Sequence, residues 1–474
     1  PGLWNGYRRP AFLLPTDPRF AEIAALYYKE QQRLYGKVDF YSMDPFHEGG
    51  SVKDVDLRAA GEAIMREMKR VNPAAVWVAQ SWQECPYPEM ISSLHNGDML
   101  VLDINSETQP QWGDPDSSWK RVDGFSGHDW AFCMLLNFGG NVGMYGKLQH
   151  VIDEYYKVRD SRFATTLRGV GLTMEGIDNN PVMYELVTEL PWRQHRFDWQ
   201  EWLRGYVTAR YGAAANAKVQ EAWLLLARSV YGASAKVAEQ GCHESVLCAR
   251  PALDVYQVSS WSMMEEYYNP DDVIRAARLM VEASHEMPAN ANFRYDLVDV
   301  TRQAIAEQAR LVYDEVVAAY RAKDSRMFAH ASQRFLDILL QQDRLLSSMP
   351  SFMVGSWIGQ ARALGTTADE RDRYEWNARV QITTWGNREA AERGRLREYA
   401  HKEWSGVLRD FYYPRWKAYF EALAATFDGR PMQPIDFYVM DEKWTLQHNA
   451  YPCTAQGDAV EFAQEAFRKV FDTE

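Results

Sequence analysis

The sequence has no run of roughly 18 to 20 uninterrupted apolar residues, which a membrane helix requires, so it predicts no membrane span. It also lacks a Lys/Arg-rich stretch, and its formal net charge is −13, which excludes nucleic acid as the main ligand. Low-complexity segments and exact repeats are absent as well. The 474 residues are 46% hydrophobic and 25% charged, a composition that predicts two or more folded domains with sizeable cores.

Cysteine is scarce. The five cysteines are scattered along the chain and are Cys85, Cys133, Cys242, Cys248 and Cys453. They form neither a zinc motif nor a disulfide framework. Only Cys242 and Cys248 lie close enough for a local bridge, and the alternative is that both are free buried thiols. The chain also lacks Asn-x-Ser/Thr sites, so nothing indicates N-glycosylation.

Five short apolar runs in the first half predict strands of a parallel sheet. They are residues 38–42, 75–79, 99–103, 130–136 and 167–172. Most are apolar almost throughout, as strands buried on both faces should be. Amphipathic segments such as 56–71 and 180–190 separate several of them, which is the pattern of repeated β/α units. A closed barrel needs eight strands, so five predict only part of one.

After residue 192 the strand-like runs end and the apolar residues follow the helical period. One example is a series in the middle of the second half: Val298, Ile305, Ala309, Val312, Val316 and Ala319. The fold class predicted is therefore α/β plus all-α. Residues 1–196 form the C-terminal part of a (β/α)8-type barrel, and residues 197–474 form an α-helical domain that completes the active site.

Two glutamates follow predicted strands and are flanked by glycine: Glu48 and Glu175. The ligand site of a parallel β/α fold lies at the carboxyl ends of its strands, so the two side chains are expected to converge. A carboxyl pair can cleave a glycosidic bond, one protonating the leaving oxygen and the other attacking the anomeric carbon or activating water. The alternative for either residue is a solvated loop glutamate or an ion-pair partner.

Aromatic residues are dense near these strand ends, and Trp82 and Phe138 are candidate walls for a sugar ring. Phe138 lies in the motif NFGGN at 137–141, whose glycines indicate a close backbone approach. The motif lacks the GxGxxG spacing of a dinucleotide site, so no cofactor is predicted. His47 and Glu48 with Asp44 could ligate a metal, but neither HExxH nor a Cys/His cluster accompanies them, and no metal is predicted.

The chain resembles the alpha-N-acetylglucosaminidase family of glycoside hydrolases over nearly its whole length. The matching motifs are DPFHE at 44–48, VWVAQSW at 76–82, LVLD at 100–103, ETQP at 107–110, NFGGN at 137–141, MEG at 174–176, FRYDLVD at 293–299, GSW at 355–357, TWG at 384–386 and YPRW at 413–416. The resemblance implies a β/α barrel, a C-terminal helical domain and retaining, exo-acting release of terminal alpha-linked N-acetylglucosamine (GlcNAc) from glycans.

The resemblance also assigns roles to residues. Glu48 matches the general acid/base and Glu175 the nucleophile. Eight further residues match positions that line the family's sugar pocket, and they are Trp4, His47, Trp82, Leu135, Phe138, His243, Trp385 and Tyr399. The last three would let the helical domain close one side of the site.

The chain departs from the family at its start, where the small first domain and the opening barrel strands are missing. We expect a missing N-terminal segment of the same protein, or a second chain, to supply them. Two other functions stay open: an α-glycosidase for another sugar, and a catalytically silent carbohydrate-binding or scaffold protein. The resemblance predicts an exported bacterial enzyme, periplasmic or extracellular, and leaves open whether its glycan is of the heparan or the mucin type.

Overall fold

A computed structural model of the chain falls into two compact units. The first comprises Pro1–Leu136, Gln149–Met174 and Met183–Arg196, and the second comprises Asn137–Leu148, Glu175–Val182 and Phe197–Glu474. The structure describes residues 3–4, 7–8, 11–47, 51–176, 179–212, 216–235, 244–259, 266–287, 289–393 and 396–472.

The first unit is built on a parallel sheet of five strands, each hydrogen-bonded to the next in chain order. A short antiparallel pair, β1 (Leu3–Trp4) and β2 (Tyr7–Arg8), precedes the sheet. The five strands are β3 (Phe40–Ser42), β4 (Val76–Ser81), β5 (Met99–Asp103), β6 (Asp129–Met134) and β7 (Leu167–Leu172). All five predicted strands are thereby confirmed. Parallel pairing in strict chain order is the arrangement found along part of a (β/α)8 barrel.

Helices of the first half fill several of the connections. They are α1 (Pro18–Tyr35), α2 (Leu57–Val71), α3 (Pro88–Ile91), α4 (Leu148–Arg159) and α5 (Pro181–Glu189). The Asp56 carboxylate caps α2 by accepting the Ala59 N–H at 2.9 Å. Pro181 opens α5, where a missing N–H costs nothing. The two helices predicted at 56–71 and 180–190 are confirmed to within about one residue at each end.

The second unit is predominantly helical among its described residues. Its helices are α6 (Trp199–Tyr211), α7 (Ala217–Arg228), α8 (Pro270–Ala283), α9 (Ala291–Arg321), α10 (Ser325–Leu346), α11 (Val354–Ala363), α12 (Ala368–Gln381), α13 (Tyr413–Phe427), α14 (Phe437–Thr445) and α15 (Ala459–Phe471). The longest is α9, with 31 residues. Every residue of its predicted apolar series from Val298 to Ala319 is buried, so the helical reading is confirmed.

A buried ion cluster joins distant segments of the second unit. The Arg415 guanidinium donates to Asp441 Oδ1 at 2.7 Å and Oδ2 at 2.5 Å, and to Glu398 Oε1 at 2.9 Å and Oε2 at 3.2 Å. All three side chains are only 1% exposed. The two forked pairs therefore satisfy both carboxylates away from water.

Replacing Arg415 by methionine is expected to lower the free energy of unfolding by about 3–5 kcal/mol, because two buried carboxylates lose their forked partner. Urea unfolding measures the change. The control is Arg388→Met, which breaks a pair with Asp436 in which both side chains are about half exposed. The control should cost less than about 1 kcal/mol. Equal losses in the two variants would contradict the assignment.

The described residues test two sequence predictions, the state of the cysteines and the absence of a membrane span. Cys85, Cys133 and Cys248 are free and buried, and Cys453 is free and exposed. Cys242 lies outside the described residues, so the free-thiol alternative is confirmed for Cys248 alone. No helix in the described part of the chain combines the length and apolar character that crossing a membrane requires.

Candidate active site

The loops after β3 and β4 are joined by hydrogen bonds in the first unit. Asp44 Oδ1 accepts the Gln80 N–H at 2.7 Å, and Cys85 Sγ donates to the Phe46 carbonyl at 3.3 Å. Burial raises the pKa of Asp44. Phe46 has a φ of 60°, which a bulky residue rarely adopts. The backbone just before Glu48 is thus held in a strained conformation by contacts on both sides.

Predicted pocket residues of the first unit stand beyond the carboxyl ends of three strands. His47 follows β3, Trp82 follows β4, and Leu135 follows β6. Because the strands are parallel, these positions share one edge of the sheet. The Trp82 ring is half-buried and packs edge-on against Trp119, with centroids 4.9 Å apart. Trp82 therefore stands at the carboxyl end of β4, and its role as a wall for a sugar ring stays a prediction.

The buried carboxylate of Glu107 shapes the end of β6. Its Oε1 accepts the N–H groups of Leu135 at 2.9 Å and Leu136 at 2.7 Å. Leu136 has a φ of 64°, and the bonds that its own N–H and that of Leu135 donate to Glu107 hold it in that left-handed conformation. The motif ETQP carried the family resemblance, but no local pattern marked Glu107 as a site residue.

Glu175 lies in the second unit and accepts two hydrogen bonds on one oxygen. Its Oε2 receives the Gly139 N–H at 2.6 Å and the Tyr399 hydroxyl at 2.8 Å. The Glu175 side chain is exposed. The carboxylate is therefore open to solvent yet fixed in orientation by a backbone donor and a phenol.

Gly139 and Gly140 form a left-handed turn against Glu175 and Tyr399. Their φ values are 63° and 62°. A Cβ on Gly139 would lie 2.0 Å from the Tyr399 carbonyl oxygen, and one on Gly140 would lie 2.9 Å from the Glu175 carbonyl oxygen. Only glycine satisfies both the conformation and the space. The close backbone approach predicted from the motif NFGGN is confirmed.

The tyrosine that donates to the carboxylate packs against a second aromatic ring of the second unit. The Trp385 and Tyr399 rings have centroids 5.1 Å apart and an interplanar angle of 62°. Both are half-buried, and Trp385 has a φ of 65°. Phe138, also half-buried, begins the glycine turn. The structure thus brings Glu175, Phe138, Trp385 and Tyr399 together although Tyr399 follows Glu175 by 224 residues.

Tyr399→Phe removes the hydroxyl that orients the carboxylate. A hydrogen bond to a charged group contributes about 1.5–3 kcal/mol. For the glycoside hydrolysis that the family resemblance implies, kcat is therefore expected to fall roughly 10- to 150-fold. Steady-state kinetics on a chromogenic glycoside measures the change. Tyr374→Phe on α12, a partly exposed tyrosine, is the matched control and should leave kcat unchanged. A wild-type kcat for Tyr399→Phe would show that this bond has no part in turnover.

Behind the glycine turn lie three buried polar side chains of the second unit. Lys402 Nζ donates to the carbonyl oxygens of Gly139 and Gly140, at 2.6 Å each. Glu244 Oε2 accepts the Val258 N–H at 2.9 Å. His401 Nδ1 lies 3.4 Å from Glu244 Oε1. No sequence pattern singled out Lys402 or Glu244, because a lone charged residue in a loop is usually solvated.

Burial shifts the pKa values of Glu244 and His401 in opposite directions. It raises the pKa of Glu244 to about 8, and burial together with the neighbouring Lys402 charge lowers the pKa of His401 to about 4. The raised pKa of Glu244 favours its protonated form near neutral pH, and the lowered pKa of His401 favours the neutral imidazole.

Three of the predicted site residues fall wholly or partly outside the described part of the chain. Glu48 and His243 lie outside the described residues, and so does the side chain of Trp4, whose backbone forms β1. His47, Trp82 and Leu135 belong to the first compact unit, whereas Glu175, Phe138, Trp385 and Tyr399 belong to the second. The roles of all ten residues stay predictions.

One cluster of metal-ligating types exists among the described residues, formed by Asp372, Glu375 and His448. Its ligand atoms lie within 4.8 Å of one another. The Glu375 carboxylate already accepts from Arg379 at 2.7 Å and from Arg362 at 2.5 Å. Two guanidinium groups oppose a cation there, so the cluster is an ion-pair network.

Two family models match the chain. One, the alpha-N-acetylglucosaminidase (NAGLU) tim-barrel domain, matches residues 1–194. The other, the C-terminal domain of the same family, matches residues 202–469. A barrel portion followed by a helical domain is the fold class that the sequence predicted.

Known relatives extend the comparison. Human alpha-N-acetylglucosaminidase is 33% identical over 492 residues, which cover 99% of this chain and 63% of the human protein. A family 89 glycoside hydrolase from Clostridium perfringens in complex with PUGNAc has a TM-score of 0.89 and 30% identity over 99% of this chain and 53% of that one. A form of it with two glutamates changed to glutamine is in complex with its substrate GlcNAc-alpha-1,4-galactose. It also has a TM-score of 0.89 and 30% identity, covering 98% of this chain and 53% of that one. The chain thus spans between half and two thirds of the length of these relatives.

Proposed function

Because the chain belongs to the alpha-N-acetylglucosaminidase family, whose C-terminal-domain model alone matches residues 202–469, we propose that it is an exo-acting, retaining glycoside hydrolase. Its substrate would be a glycan with a terminal alpha-linked GlcNAc. The observation that carries the proposal is the Glu175 carboxylate, held by the Gly139 N–H and by the hydroxyl of Tyr399, whose ring packs on Trp385.

The proposed reaction is a double displacement. Glu175 attacks the anomeric carbon while Glu48 gives its proton to the departing glycosidic oxygen, which leaves a glycosyl-enzyme ester on Glu175. Glu48, now a carboxylate, takes a proton from water as that water attacks the same carbon. The ester bond breaks, Glu175 returns to its carboxylate form, and GlcNAc leaves with its alpha configuration retained.

The Glu175 geometry fits the nucleophile's part. Both hydrogen bonds end on Oε2, so neither engages Oε1, the oxygen we assign to the attack. Two neutral donors hold the exposed carboxylate in one orientation without an ion pair. A buried carboxylate paired with arginine, as Glu398 is with Arg415, could not serve in this way.

Aromatic side chains support a sugar ligand. In the second unit Tyr399 donates to the Glu175 carboxylate and its ring packs on Trp385. Trp82 stands at the end of β4 in the first unit. Indole and phenol faces pack on the apolar faces of pyranose rings. The same walls would suit another α-linked sugar, so substrate selectivity is the quantity to measure.

Release of 4-nitrophenol from 4-nitrophenyl alpha-GlcNAc by the intact protein tests the proposal, with the alpha-glucoside as comparison. We expect turnover of the GlcNAc glycoside and preference for it. Preference for the glucoside would favour the alternative of an α-glycosidase for another sugar. Glycan binding without any turnover would favour the silent carbohydrate-binding protein.

Proton NMR of the first-formed sugar tests the stereochemistry separately. Double displacement predicts that alpha-GlcNAc appears first and mutarotates afterwards to the mixture of anomers. Initial beta-GlcNAc would mean direct attack by water and an inverting enzyme. That result would remove the nucleophile role from Glu175 while leaving the substrate class intact.

A further inference from the structure

Lys402 makes an unusual contact with the glycine turn. Its side chain is buried, and Nζ lies 2.6 Å from two consecutive carbonyl oxygens, those of Gly139 and Gly140. An ammonium group has three donors and can hold two acceptors at once. Charged donors form stronger hydrogen bonds than neutral ones. Lys402 therefore holds both peptide groups of the turn by hydrogen bonds.

The two-glycine turn requires an external contact to hold one conformation. Glycine has more conformational freedom than any other residue, and two in succession leave a loop without a preferred shape. Both glycines are buried. Without Lys402, two carbonyl oxygens would lose a buried donor, at a cost that would favour another turn conformation.

The segment that carries Lys402 surrounds the turn and the carboxylate. Three residues earlier, the Tyr399 hydroxyl donates to Glu175 Oε2. A Cβ added to Gly139 would lie 2.0 Å from the Tyr399 carbonyl oxygen, so this carbonyl packs closely on the glycine. A single stretch of chain thus places the Tyr399 hydroxyl on Glu175, packs against Gly139 and donates hydrogen bonds to the carbonyls of the turn.

We propose that Lys402 is a positioning residue for the hydrolase: by fixing the Gly139–Gly140 turn it keeps the Gly139 N–H on Glu175 Oε2 and so sets the rate of glycosyl-enzyme formation. This inference rests on the proposed function. It concerns orientation of the nucleophile and involves no contact between Lys402 and the sugar. Lys402 should therefore affect kcat and leave sugar binding nearly unchanged.

The test compares Lys402→Met and Lys402→Arg with the wild-type protein on 4-nitrophenyl alpha-GlcNAc. For Lys402→Met we expect kcat to fall roughly 10- to 100-fold, because the nucleophile is misplaced, while the inhibition constant of free GlcNAc changes less than about twofold. Arginine keeps the charge and several donors, so Lys402→Arg should recover part of the lost kcat. Lys417→Met on α13, which removes an exposed lysine, is the control and should leave kcat unchanged.

The outcomes separate this inference from the proposed function. Absence of turnover by the wild-type protein would overturn the function itself. Wild-type turnover with an unchanged kcat in Lys402→Met would overturn the role of Lys402 alone. A parallel rise of the GlcNAc inhibition constant, with no recovery by arginine, would show a merely structural lysine. If Lys402→Met does not fold, Lys402→Gln, which keeps a neutral donor, is judged by the same criteria.

Discussion

Replacing Glu175 by glutamine is expected to lower kcat for 4-nitrophenyl alpha-GlcNAc by at least about 10³-fold, because the amide cannot form the glycosyl-enzyme ester. The side chain is exposed and glutamine has the same shape, so the melting temperature should stay near that of the wild type. Steady-state kinetics and thermal unfolding measure the two quantities. Glu282→Gln, which removes an exposed glutamate from α8, is the control and should change neither.

Azide distinguishes the nucleophile from the acid/base. In Glu175→Ala, azide can enter the space of the missing carboxylate and displace an activated leaving group once, which gives the beta-glycosyl azide. Loss of the acid/base would instead leave the ester intermediate intact, and azide would then give the alpha product by a second inversion. NMR of the azide product decides between them. An alpha-glycosyl azide from Glu175→Ala would reassign Glu175 as the acid/base.

Gly139→Ala is expected to reduce both activity and stability. The φ of 63° is unfavourable for alanine, and its Cβ would lie 2.0 Å from the Tyr399 carbonyl oxygen. The turn has to move, which withdraws the Gly139 N–H from Glu175 and shifts Tyr399 as well. Displacement of about 1 Å can cost roughly 10²-fold, so kcat should fall by at least that factor. The strain itself should cost about 1–3 kcal/mol of unfolding free energy.

Gly205→Ala is the matched control for that substitution. Gly205 lies inside α6, and a Cβ there would meet nothing within 4 Å. Alanine favours a helix interior by roughly 0.8–1 kcal/mol over glycine, so this variant should unfold at a slightly higher temperature with unchanged kcat. Kinetics and thermal unfolding of the two variants side by side give the comparison. A Gly139→Ala variant as active as Gly205→Ala would show that the turn does not position the carboxylate.

Local periodicity was enough to predict the main elements. The apolar run at β6 is buried on both faces of the parallel sheet, and such burial leaves a continuous apolar signal. The apolar series from Val298 to Ala319 marks α9 because a helix returns the same face to the core every 3.6 residues. The motif NFGGN likewise predicted a close backbone approach, because glycine tolerates a positive φ and a neighbouring backbone where other residues would clash.

A position at a strand end beside glycine singled out Glu48 and Glu175 as a candidate pair, but only the family motifs assigned their separate roles. Nothing local distinguishes Tyr399 from any other tyrosine. The resemblance placed Glu175 and Tyr399 in one pocket, and the structure brings the Tyr399 hydroxyl to 2.8 Å from Glu175. Their roles in the reaction stay predictions until the kinetics are measured.

By itself, then, the sequence determined the strands, the helices, the family and the two glycines of the turn, because each leaves a signal within a few consecutive residues. Only the tertiary structure showed that Lys402 fastens the turn and that Glu107 holds the end of β6. It also showed Arg415 between two buried carboxylates. The reason is physical: a buried polar side chain is defined by partners from distant parts of the chain, and no spacing along the sequence records which partners the fold will supply.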